Sequence, residues 1–164
     1  MDIAQLIDQY AAYDLWANTR IVDRLSRENE SVLDAHVKSS FPSLRATLMH
    51  IRNADAAWYS RIVGKEQKWP AEEDSSIGNL IKHCTIMRDH VRGMNAADLA
   101  RTVVYKDLRG NDHSQDPLGM LMHCFNHSSY HRGQIVTIMR QLDMTDIPPL
   151  DLVVYQRLLL KGEA

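Results

Sequence analysis

Cysteine is scarce in this chain: only Cys84 and Cys124 occur, far apart and with no Cys-x-x-Cys spacing. That excludes a secreted disulfide framework and leaves a reduced pair, each acting as a small core residue. No apolar run approaches the ~18 residues a membrane helix needs, and the acidic, amphipathic N-terminal stretch is not a signal peptide. Neither charge is in excess. Nineteen Lys and Arg face 21 Asp and Glu, a formal net charge of −2, and no basic, aromatic-interleaved stripe is present. This excludes the electrostatic footprint of a nucleic-acid or acidic-membrane binder. Repeats, low-complexity tracts and interdomain linkers are also missing, so residues 1–164 read as a single domain with a core of substantial size. The expectation is a cytoplasmic protein.

What the chain has in quantity is histidine, eight residues of 164, and long apolar periodicities. Ile3, Leu6, Ile7, Tyr10, Ala17, Ile21 and Leu25 recur at spacings of three and four, giving an amphipathic helix from Asp2 to about Ser26. Asp14 and Trp16 lie within it; Trp16 reads as a packed core tryptophan, with a place facing a partner chain or a pocket as the alternative. Arg27 to Phe41 reads as a connecting loop. Pro42 and Ser43 open a second helix carrying Leu44, Leu48, Ile51, Trp58 and Ile62, with His50 among Ala46, Ala54 and Ala57. Gly64 to Asp74 is loop chemistry. Ser75 or Ser76 should cap a third helix, through Ile77, Leu80, Cys84, Met87, Val91 and Met94. Thr102 to Tyr105, with the turn residues Arg109 to Asp112, suits a short hairpin or an extended loop. Asp116 as N-cap and Pro117 at the first position start a long helix marked by Leu118, Leu121, Phe125, Ile135, Ile138, Met139 and Leu142. After Pro148-Pro149, residues 151–160 form a short last helix. The fold class is all-α: a four-helix bundle with a short C-terminal helix and little strand.

The helix that starts at Pro117 contains the chemistry. His123, His127 and His131 fall at i, i+4 and i+8. At ~100° and ~1.5 Å per residue, His127 and His131 lie ~40° and ~6 Å apart, within reach of one ion. His123 is ~12 Å from His131 along the axis, so all three cannot share an ion. At most one adjacent pair can bind, and a third ligand must come from elsewhere. His50, mid-helix among small residues, is the best candidate. A lone histidine beside an apolar stripe is more often an ordinary hydrogen-bonded residue, and His36, His83, His90 and His113 read as solvated. Asp55, one turn beyond His50, reads as a surface carboxylate, with a hydrogen bond to a ligand as the alternative. Asn126 and Gln134 either orient a substrate or bond neighbouring helices.

These residues carry a resemblance. Tyr13-x-x-Trp16-x-Asn18, Leu48-Met49-His50-Ile51 with Asp55 and Trp58, and the segment His123-x-x-Asn126-His127-Ser128-x-Tyr130-His131-Arg132-Gly133-Gln134 resemble the DinB (damage-inducible, YfiT-like) superfamily, as does the ending Pro148-Pro149-x-Asp151. The resemblance spans essentially the whole chain. It implies an up-down-down-up bundle, a homodimer, and a divalent metal ion on His50, His127 and His131, with His123 left out. Zinc or nickel is the expected metal, with iron or cobalt next. Three neutral imidazoles leave coordination positions open, as catalytic sites do. The resemblance further implies a metal-dependent enzyme, most concretely a transferase joining a small-molecule thiol to small electrophiles, with a hydrolase as the other enzyme reading and no catalytic side chain assigned. A non-catalytic metal-binding stress-response protein is the alternative.

Overall fold

The computed structural model describes residues 1–163. Four long helices dominate it: α1 (Ile3–Leu25), α3 (Leu44–Val63), α4 (Gly78–Arg92) and α6 (Pro117–Gln141). The starts of α1, α3 and α6 are fixed by side chains that satisfy the first unpaired backbone N–H groups. Asp2 accepts from the Gln5 N–H while Gln5 reaches back to the Asp2 N–H. Ser43 accepts from Ala46, and Asp116 accepts from Gly119 ahead of Pro117. α3 ends at Gly64, whose φ of 69° suits a residue without a Cβ.

In the bundle α1 packs against α4 and α6, and α3 packs against the same two. Side-chain pairings give the directions. Tyr10 meets Phe125 and Asp14 meets Arg132, so α1 and α6 run the same way. His50 meets His131 while Trp58 meets His123, so α3 opposes α6. Ile77 and Leu80 share one apolar cluster with Leu44, Leu48, Ile21 and Leu25; Met87 and Val91 share the other with Ile62, Ile7 and Ala11. α4 is therefore parallel to α3 and antiparallel to α1. The topology is up-down-down-up.

Both diagonal crossings are plugged with apolar side chains. The Arg27–Phe41 stretch is not all loop: it contains a single helical turn, α2 (Glu30–Leu33), and buries Leu33 and Val37 at one end of the bundle. At the other end α5 (Ala96–Ala100) buries Leu99, and an antiparallel hairpin of β1 (Val103–Lys106) and β2 (Asp112–Gln115) buries Val103. Neither serine before α4 caps it by its side chain; Ser76 supplies its backbone carbonyl to Asn79 instead. The last helix, α7 (Leu152–Lys161), lies against α1 through Tyr155, which meets Tyr13 and Trp16. Trp16 is consequently half-buried under α7 rather than inside the bundle.

Between the two apolar clusters is a polar layer. Asp14, Asn18, Asp55, Ser128 and Arg132 are all buried there. Asp14 and Asn18 occupy the 3-4 line that also carries Ile7, Ala11, Ile21 and Leu25, so the heptad-like spacing turns them inward. Arg132 donates to Asp14 Oδ1 at 2.5 Å and to Ser128 Oγ at 2.7 Å, and Asn18 donates to Asp14 Oδ2 at 3.0 Å. Each buried polar group thus finds partners, as a low-dielectric interior requires. No helix among the described residues is long and apolar enough to cross a membrane.

Candidate metal centre

Antiparallel packing of α3 on α6 brings His50 opposite His127 and His131. His127 Nε2 lies 3.0 Å from His50 Nε2 and 3.0 Å from His131 Nε2. All three ligand atoms fall within 4.8 Å of one another. In a tetrahedral centre with metal–nitrogen bonds of ~2.0–2.1 Å, neighbouring nitrogens sit ~3.3 Å apart. The convergence therefore fits a single ion. His123 stands aside: its ring is 6.0 Å from that of His127 and rests against Trp58 at 4.9 Å.

Two loops and one side chain shape the surroundings. Phe41, from the α2–α3 connection, stacks on His50 at 4.3 Å and meets the edge of His131 at 5.6 Å. Trp69, from the α3–α4 connection, meets His50 edge-on at 6.0 Å and remains 44% exposed. That second loop is clamped to α3 by the buried Arg52, which donates to the carbonyl oxygens of Glu72 and Asp74. Asn53 Oδ1 in turn accepts from the Ala71 N–H. On the α6 side Gln134 Oε1 lies 2.8 Å from His131 Nδ1, while its amide nitrogen donates to Ser40 Oγ at 2.9 Å.

The imidazoles suit a cation electrostatically. Burial, then the proximity of His131, lowers the His50 pKa to about 4. Burial, then His131, His50 and His123, lower that of His127 to about 4. Both rings are neutral at pH 7 and keep a lone pair to give.

Asp55 is not a surface carboxylate. It is 2% exposed, and its two oxygens accept from Cys124 Sγ at 3.2 Å and Cys84 Sγ at 3.4 Å. Burial, and then Asp14, raise its pKa to about 7, and burial raises both thiols well above their usual range. Asp14, Asp55 and Cys84 are close enough to be considered as a second ligand group. Arg132 already neutralises Asp14, however, and Cys84 is held as a hydrogen-bond donor. This cluster is a self-satisfied core network, whereas the three histidines present convergent Nε2 atoms whose only neighbours at hydrogen-bond distance are one another.

The other sequence candidates scatter. His36 and His113 are exposed, as expected, and His113 is paired with Asp107. His83 and His90 are half-buried rather than solvated; His83 lies 3.1 Å from Glu72 and His90 packs edge-on against Tyr59. Asn126 is exposed and lines an apolar groove of about 330 Å³ between α1 and α6, away from the histidines. A larger cavity of about 580 Å³ lies beside Tyr13, Gly133, Val136, Arg140 and Pro149. At ~100° per residue its α6 side chains point ~180° away from His127, so it does not open onto the three histidines. Phe41, Trp69 and Ser40 were not among the sequence candidates because they reach the histidines only through loop paths. Gln134 stands three residues from His131, one turn along, and that spacing was the available signal.

Comparison with known proteins agrees with this architecture. The DinB family model matches residues 2–158. Protein DinB of Bacillus subtilis (strain 168) is 24% identical over 147 residues, covering 83% of this chain and 86% of that protein. The crystal structure of a DinB-like protein from Bacillus cereus ATCC 10987 superposes with a TM-score of 0.63 at 20% identity, covering 84% of this chain and 91% of that one. At that identity the structural likeness speaks for the fold.

Proposed function

The chain belongs to the DinB family, and on that premise we propose that it is a divalent-metal-dependent enzyme with His50, His127 and His131 as the ligands. The observation that carries the reading is the convergence of three Nε2 atoms from two antiparallel helices, 3.0 Å apart in successive pairs. Three protein ligands leave at least one position for an exogenous group, which distinguishes catalytic from closed structural sites. Zinc or nickel suits an all-imidazole set, with iron or cobalt next.

The reaction we propose is transfer of a small electrophile to a small-molecule thiol. A bound cation supplies Lewis acidity, lowering the pKa of a thiol or water that reaches it. The chain's part is to keep His50 and His127 neutral, to fix the rings, and to shield one side with Phe41 and Trp69. In the transfer the thiol gives up its proton to solvent, sulfur bonds the electrophilic carbon, and the leaving group departs with the bonding pair. Neither protein cysteine suits the nucleophile's role: both are buried and held protonated against Asp55. Asp55 is likewise engaged by those thiols and does not serve as a base at the histidines.

The alternative is a non-catalytic metal-binding stress-response protein. One feature favours it: Phe41 covers His50, and neither of the two grooves described above is lined by the histidines. The proposal extends to a cytoplasmic homodimer. The family resemblance supports that assembly, as do Ile3, Leu6 and Met122, which stand 40–60% exposed along the α1–α6 groove.

Loading purified protein with Zn²⁺ or Ni²⁺ and screening thiol conjugation of model electrophiles tests the enzyme reading. Metal-dependent conjugation lost with His127→Ala is expected. Tight metal binding without any conjugation across several thiols would favour the alternative.

A further inference from the structure

We propose that Gln134 is a positioning residue for the metal centre, and that Ser40 holds Gln134 in the orientation this requires. The inference rests on reading the three histidines as ligands. An amide oxygen only accepts, so Gln134 Oε1 at 2.8 Å from His131 Nδ1 calls for a proton on Nδ1. The neutral ring then carries its lone pair on Nε2, the atom 3.0 Å from His127 Nε2. One side-chain contact thus sets both the tautomer and the direction of the ligand nitrogen.

His131 is singled out in this respect. Among the described residues neither His50 nor His127 has a hydrogen bond on Nδ1, and the His127 Nδ1 is buried without a partner. His50 is instead fixed by the stacked ring of Phe41. The far end of Gln134 donates to Ser40 Oγ at 2.9 Å, and Ser40 precedes Phe41 in the α2–α3 connection. The same short stretch of chain therefore orients two of the three ligands, one through Phe41 and one through the Ser40–Gln134 pair. Gln134 itself is only half-buried, so its replacement leaves the apolar core intact.

Two measurements test this. Long-range ¹H–¹⁵N correlation spectra of the metal-free protein at neutral pH should show His131 as the Nδ1-protonated tautomer, with Gln134→Ala giving a mixture. Chelator competition with Zn²⁺ should show Gln134→Ala weaker by ~10–100-fold, Ser40→Ala weaker by less than ~10-fold, and Gln134→Glu within a few-fold of wild type. The glutamate keeps both acceptor and volume; Gln134→Met keeps the volume alone and should be as weak as the alanine variant, whereas a role confined to packing predicts wild-type affinity for it. A wild-type His131 protonated on Nε2 would overturn the proposal. So would wild-type affinity in Gln134→Ala, or a Gln134→Glu protein as weak as the alanine variant. If wild type holds no zinc, the ligand reading itself fails, and the tautomer spectra still decide what Gln134 does to His131.

Discussion

His50 Nε2 and His127 Nε2 lie 3.0 Å apart although 77 residues of chain separate them. The pairing depends on the antiparallel register of α3 against α6. The same register places Trp58 on His123, about two helical turns away. A slip of one turn would bring His50 to His123 instead. The buried contacts of Asp55 with Cys124 and Cys84 hold the alignment between these two points.

The register determines which histidine matters least. On the proposed ligand assignment, replacing His50, His127 or His131 with Ala removes a ligand from an open site, and bound metal measured after dialysis should fall to near the background of unloaded protein. His123→Ala should weaken binding by ~10–100-fold at most, as loss of a surrounding side chain does. Metal retained in His131→Ala and lost in His123→Ala would reverse the assignment.

Stability of the metal-free protein should depend on pH through two opposed contributions. His50 and His127 titrate near 4 in the folded state and near ~6.5 unfolded. Between those values the unfolded state binds more protons, so their contribution rises with pH and is lost on acidification. Asp55 titrates near 7 folded and near ~3.9 unfolded. Over that interval the folded state binds more protons, so its contribution falls as pH rises. Asp55→Asn removes the second effect. Urea unfolding in the presence of chelator should show the difference between variant and wild type moving in the variant's favour from pH 5 to pH 7. A pH-independent difference would mean that Asp55 does not change protonation in this range.

The Asp14–Arg132 pair is buried at both ends. Arg132→Met leaves the Asp14 charge with Asn18 as its remaining partner and should destabilise the fold by ~3–5 kcal/mol. The double variant Asp14→Leu/Arg132→Met should recover most of that loss, because it is the orphaned charge that is costly. Thermal or denaturant unfolding of the three proteins checks this. An equal loss in single and double variants would show that the pair is worth its full coupling.

Sedimentation equilibrium at micromolar concentration should give a dimer mass for the wild-type protein. Leu6→Glu with Met122→Glu puts like charges on the exposed groove and should shift the species toward monomer without altering the circular dichroism spectrum. Monomer mass in the wild type would remove the dimer proposal.

Much of the fold was legible in local spacing. The apolar repeats of α1, α3, α4 and α6 define their buried faces, and Asp2, Ser43 and Asp116 sit where helix starts need acceptors. The His127/His131 pair was equally legible, because a helix fixes the geometry of i and i+4 without help from the rest of the chain. Asp14 and Asp55 were harder. The signal for Asp14 was a charged residue on a 3-4 apolar line, but periodicity cannot say whether a partner will neutralise it. Its partner, Arg132, is 118 residues away.

Sequence alone determined the helices, their apolar faces and the two imidazoles that one helix can present together, since these follow from backbone geometry over a few residues. Tertiary structure decided that His50 comes to lie beside that pair, that His123 is left against Trp58, and that Gln134 and Phe41 rest against the histidine rings. It also turned Asp55 from the solvent into the core, between two thiols. The reason is the same in each case. Contacts across packed helices depend on register and on the path of the connecting loops, and those are set by the closing of the whole apolar core.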